Sequence, residues 1–74
     1  MRLYLTRDKN GLFALWNGKK GLKKIDGIWD KYDWVKSRNE ISPIATMEID
    51  AARRHFHKII SKGTMARVER MTLG

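Results

Sequence analysis

No cysteine occurs anywhere in the chain. A disulfide framework, a thiolate metal site and a cysteine nucleophile are therefore excluded, and the fold must rest on apolar burial and hydrogen bonding. Long apolar runs are also missing. The longest, Leu12 to Trp16, falls far short of the roughly 20 residues that a membrane-spanning helix needs. Arg2, Arg7, Asp8 and Lys9 stand where a signal peptide would carry its apolar core. These absences set the expectation of a cytoplasmic protein with no membrane partner.

Further absences narrow the chemistry. The pattern G-x-x-x-x-G-K-[ST] of a phosphate-binding loop does not occur. Only two histidines are present, His55 and His57. Two positions apart on a helix they diverge by about 160°, whereas zinc-binding pairs sit at i and i+4. Asp26, Asp30 and Asp33 lack the alternating oxygen ligands of a calcium loop. Lys24, Lys31 and Lys36 beside them indicate local charge compensation. No Ser-His-Asp constellation stands out, and so short a chain has little room for a deep pocket. The expectation is a non-enzymatic protein with no metal, no cofactor and no small-molecule substrate.

What is present in excess is positive charge. Sixteen lysines and arginines against eight acids leave +8 on 74 residues. Such a field attracts phosphates and acidic protein patches. Hydrophobic residues make up 42% of the chain, with three tryptophans, enough for one folded unit over residues 1–74. Neither an internal repeat nor a low-complexity tract nor a linker interrupts it. The partners expected are DNA or RNA, or a host nucleoprotein or protein complex. The oligomeric state expected is a monomer or a small homo-oligomer.

Residues 2 to 17 have the pattern of a β-hairpin. Leu3 and Leu5 alternate with Arg2, Tyr4 and Thr6, and Asn10-Gly11 supplies the favoured two-residue turn. That turn pairs Leu5 with Trp16 and Arg7 with Ala14, and puts Leu3, Leu5, Leu12, Ala14 and Trp16 on one face. A third strand is expected around Lys24 to Asp30, followed by an aromatic-rich irregular segment. Ser37 to Pro43 suggests a turn or a helix entry. Residues 46 to 62 form the clearest helix, with Thr46 as N-cap and Gly63 as its stop. Ser42 as cap with Pro43 at the first position is the other start. Ile49, Ala52, Phe56, Ile59 and Ile60 fall on one stripe at helical spacing. Met65 to Leu73 alternates as a closing strand with Val68 inward. The fold class is α+β: a small antiparallel sheet of three to four strands with one amphipathic helix on a face, in the order β-β-β-α-β.

Two basic clusters are the candidate binding residues. WNGKKGLKKIDGIW, residues 16 to 29, holds Lys19, Lys20, Lys23 and Lys24 between two tryptophans. Gly18-Lys19-Lys20-Gly21 resembles the G-x-x-G loop that lets KH domains clamp single-stranded phosphates. That loop joins two helices, however, while the residues before Gly18 have strand character and Gly27 interrupts any helix after it. What this leaves is a mobile inter-strand loop whose lysines either contact phosphates or are simply solvated at a sheet edge. The second cluster is the helix side carrying Arg53, Arg54 and Lys58, of which Arg54 and Lys58 point away from the apolar stripe and Arg53 flanks it. A basic helix face of this kind lies along phosphates, docks on an acidic protein or faces water. Trp34 is the aromatic left over once Trp16 and Trp29 are assigned to the core. It is suited to stacking on a base or anchoring a protein contact.

The hairpin Leu3 to Trp16, the Asp26-Gly27-Ile28-Trp29 segment and a lone basic helix resemble small phage or mobile-element accessory proteins, anti-CRISPR inhibitors among them. The β-β-β-α order is similar to the arm-site DNA-binding domains of phage-type integrases. The first resemblance implies an inhibitor of a host or defence complex, the second a DNA-binding module. A structural or self-associating protein is a third reading. The first two turn on whether residues 19–24 and 53–58 share a surface.

Overall fold

A computed structural model describes residues 2–33, 39–56 and 59–68. The chain begins with strands β1, Leu3–Arg7, and β2, Phe13–Asn17. The expected two-residue turn is not the one formed. Asp8 N–H donates to the Leu12 carbonyl and Gly11 N–H to the Asp8 carbonyl, both at 2.9 Å, so residues 8 to 12 make a wider loop. Asn10 Oδ1 accepts from Leu12 N–H at 3.1 Å and Arg7 Nε donates to the Gly11 carbonyl at 3.3 Å. These local bonds outweigh the intrinsic preference of Asn-Gly. The register moves by one residue, pairing Leu5 with Leu15, Tyr4 with Trp16 and Arg7 with Phe13.

Because side chains alternate across a strand, that slip changes which face each β2 residue occupies. Leu3, Leu5, Phe13 and Leu15 now share one face, and Tyr4, Thr6, Ala14 and Trp16 the other. Both sets are buried. Leu12, expected inward, is 38% exposed. On the second face Trp16 Nε1 donates to Thr6 Oγ1 at 2.8 Å.

Residues expected as a single strand around Lys24 to Asp30 form a hairpin instead. Strands β3, Leu22–Ile25, and β4, Ile28–Asp33, are joined by Asp26-Gly27 with φ of 53° and 80°. Two consecutive positive φ values are what a tight hairpin turn requires, and Asp-Gly tolerates them. Strand β5, Asn39–Ile41, pairs with the distal half of β4 and lies where a turn or helix entry was expected. Strand β6, Ala45–Met47, pairs with β2 and places Thr46 opposite Ala14, so Thr46 is not a helix cap. Pro43 stands outside the helix as well.

The helix α1 covers only Ile49–His55, against the expected 46 to 62. Glu48 is its N-cap, without a side-chain cap bond. At Phe56 the backbone becomes extended, with φ −131° and ψ 135°. At its start, ladder bonds to β2 hold residues 45–47 as a strand. At its end, the extended turn at Phe56 precedes Ile60, and both side chains reach the core. Ile59, the fifth member of the helical stripe, is exposed. His57 and Lys58 lie outside the described residues. Gly63 belongs to a later turn, where its N–H donates to the Arg7 carbonyl at 2.7 Å. Strand β7, Met65–Val68, then pairs antiparallel with β1, with Val68 packed against the core as expected. Residues 69–73 of the expected closing strand lie outside the described ones.

The described strands form two antiparallel sheets, β6-β2-β1-β7 and β3-β4-β5. The fold remains α+β, but its order is six strands, the helix and a seventh strand. Leu3, Leu5, Phe13 and Leu15 pack with Ala52, Phe56 and Ile60 in the main core. Burying each such large side chain contributes about 1.5–3 kcal/mol. Strand β1 has β2 and β7 as its neighbours within the sheet, so β4, which also touches β1, approaches over a face. The core side is taken by α1, which leaves β4 the side of Tyr4, Thr6, Ala14 and Trp16. Among the described residues no helix is long and apolar enough to cross a membrane.

Candidate polyanion-binding surfaces

Gly18-Lys19-Lys20-Gly21, expected as an inter-strand loop, forms a tight turn between β2 and β3. Leu22 N–H donates to the Lys19 carbonyl at 3.0 Å, closing a turn with Gly21 at its third position. Gly21 has φ of 80°, and a Cβ there would overlap the Tyr32 carbonyl oxygen. Tyr32 N–H in turn donates to the Gly21 carbonyl at 3.0 Å. Gly18 N–H donates to the Arg2 carbonyl at 2.7 Å. The glycine spacing is thus accounted for by backbone geometry: a left-handed residue packed against a neighbouring strand.

Lys31 fastens the same turn from beneath. It is only 7% exposed, and its Nζ donates to the carbonyls of Asn17 and, at 3.2 Å, Gly18. Its charge is therefore directed at backbone oxygens and not, as the sequence suggested, at the neighbouring aspartates. Asp30 instead stands opposite Lys23 in the β3–β4 ladder.

The four lysines of the cluster divide into two kinds. Lys19 and Lys20 are exposed on the anchored turn. Lys23 and Lys24 lie on opposite faces of β3 by strand alternation. Lys24 Nζ donates to the Gly63 carbonyl at 2.9 Å and sits 5.8 Å from the centre of the Trp29 ring. Trp29 is half-buried, and its backbone N–H donates to Asp8 Oδ1 at 2.9 Å. Arg53 and Arg54 are exposed on α1, as the helical wheel indicates. Lys58 and Trp34 lie outside the described residues.

The two clusters do not form one surface. The lysine turn leads from β2 into the β3–β4 layer on one side of the four-stranded sheet, while α1 covers the other side. Cations converge elsewhere instead. At the loop end of the β1–β2 hairpin, a groove of about 470 Å³ is lined by Arg7, Asn10, Gly11, Leu12, Glu48, Ile49 and Lys62. Arg7 was legible only as a ladder residue and Lys62 only as a helix terminus. Nothing in their local sequence signals that they meet. Among the described residues, no group of three or more His, Asp or Glu side chains is placed to hold a metal ion.

No family model matches the chain, and neither a curated protein nor a solved structure matches it.

Proposed function

We propose that the protein is a non-enzymatic binding module for nucleic acid, attracted through phosphates with little reading of base sequence. The observation that carries this reading is the display of Lys19 and Lys20 on a backbone-anchored turn in a chain of net charge +8. An anchored turn presents its charges with less ordering cost than a mobile one. Flexible ammonium groups neutralise phosphates without the planar fork that distinguishes bases.

The test is a salt titration of binding to a generic duplex and to a single strand. Log affinity is expected to fall linearly with log salt, and the slope of a Lys19→Ala/Lys20→Ala variant to be shallower by about one per lost contact. Absence of binding at low salt sinks this reading.

A second reading is favoured by Ile25, which is 53% exposed beside Lys23 and the Asp26-Gly27 turn. An aliphatic side chain among lysines suits an acidic protein surface, as expected of an inhibitor of a host or defence complex. Capture of the same partner from a nuclease-treated lysate, and its loss with Ile25→Asp, supports that alternative.

A further inference from the structure

We propose that the groove between the β1–β2 loop and the start of α1 is an oxyanion site that takes a phosphate group. The phosphate is either free or one phosphodiester of a nucleic-acid strand. Only the second source rests on the nucleic-acid reading above.

The argument starts at Arg7. Its Nε donates to the Gly11 carbonyl at 3.3 Å and its Nη1 to the Ile60 carbonyl at 3.0 Å. Its guanidinium carbon lies 4.7 Å from the centre of the Phe13 ring. Three contacts thus hold the group in one orientation before any ligand arrives, so little rotamer freedom is left to lose on binding. Both carbonyl bonds use protons of Nε and Nη1, which leaves Nη2 for the groove. A preorganised guanidinium is the side chain best matched to phosphate oxygens.

Lys62 supplies the second cation. A Cβ on Gly11 would stand 3.5 Å from Arg7 Nη2 and 3.6 Å from Lys62 Cε. Both basic side chains therefore approach the same glycine. Asn10 Oδ1 accepts from Leu12 N–H, which leaves its amide NH₂ as a further donor. Leu12 and Ile49 add apolar wall, which lowers the local dielectric and strengthens the attraction. Lys24, held at the Gly63 carbonyl, adds positive field beside Lys62. Glu48 is the opposing charge of the lining. It weakens the site, and it also supplies a diagnostic variant.

The test uses the full chain, labelled with nitrogen-15 and titrated with inorganic phosphate at constant ionic strength. The amides of Gly11, Leu12 and Ile49 are expected to shift and saturate. Lys62→Gln is expected to weaken the apparent affinity about threefold to tenfold, and Glu48→Gln to tighten it about twofold to fivefold. Both residues are exposed, so these variants keep the fold. Arg7→Lys abolishes the response, and its unfolding midpoint shows whether it still folds. Groove amides that do not saturate, or saturation that neither Lys62→Gln nor Glu48→Gln changes, overturns the proposal.

A second arm titrates a short single strand and its charge-neutral methylphosphonate analogue. Phosphate saturation without oligonucleotide binding identifies a free phosphate source and removes the nucleic-acid reading, while the site stands. Oligonucleotide binding that depends on Lys19 and Lys20, with no phosphate response in the groove, removes the site and leaves that reading intact. Failure of both arms removes both.

Discussion

Gly18 and Gly21 share a φ of 80° but not an environment. At Gly21 an added methyl meets backbone that cannot retreat, the carbonyl of Tyr32. At Gly18 the nearest neighbour is the tip of Lys31, 3.8 Å away. Gly18→Ala is therefore expected to cost only the left-handed backbone penalty, about 1–2 kcal/mol. Gly21→Ala adds displacement of β4 and is expected to exceed about 4 kcal/mol, into the range that marks a broken structural feature. Urea unfolding of the two variants checks this. Equal costs would mean that the turn is not packed against Tyr32. Lys31 belongs to the same unit, because a buried ammonium needs its carbonyl partners as much as the turn needs the ammonium.

At the level of elements, one carboxylate takes part in the joint between the two sheets. In β4 the Trp29 N–H faces away from β3, in the direction of β5, whose pairing with β4 begins only at Lys31. Asp8 accepts that N–H, and Lys9 N–H donates to the Gly27 carbonyl at 2.9 Å beside it. Asp8→Ala is expected to lose about 1–3 kcal/mol, since it leaves a partly buried donor unsatisfied. Asp8→Asn keeps an acceptor oxygen and is expected to lose less. Hydrogen exchange at the Trp29 amide reports the joint directly, and exchange unchanged in Asp8→Ala would show that this bond does not hold it. The elements also show what the sequence discloses and what it hides. Alternation in Leu3 to Thr6, the stripe Ile49, Ala52 and Phe56, and inward Val68 follow from local periodicity. The register does not, because Asp8, Asn10 and Arg7 bond to their own loop and override Asn-Gly. Nor does the start of α1, because residues 45–47 are claimed by β2, far away in the chain. Asp26-Gly27 between Ile25 and Ile28 was a legible hairpin signal that the charged residues around it obscured.

For the whole molecule, the proposed nucleic-acid binding turns on how the cations are divided. Exposure of Lys19, Lys20, Arg53 and Arg54 was legible from turn chemistry and helical spacing. Their relative placement was not, since it depends on which side of one sheet each layer packs. With the turn and α1 on opposite sides, one straight strand cannot contact both. Arg53→Ala/Arg54→Ala is expected to leave the salt slope of nucleic-acid binding within about half a unit of the parent, whereas Lys19→Ala/Lys20→Ala reduces it. Equal losses from both pairs would require wrapping or two bound strands.

The central position of β1 has a consequence for the order in which the fold can be completed. This strand is hydrogen-bonded along both edges, by β2 and by β7, and its two faces are covered by α1 and by β4. The hairpin partner is synthesised almost at once, but the second edge waits for residues 65–68. Until then a newly made chain carries an open strand edge flanked by Leu3, Leu5 and Trp16, the kind of surface that pairs with other chains. Closure by so distant a segment raises the contact order and slows folding. A net charge of +8 opposes such pairing, because like-charged chains repel one another while the last strand is awaited.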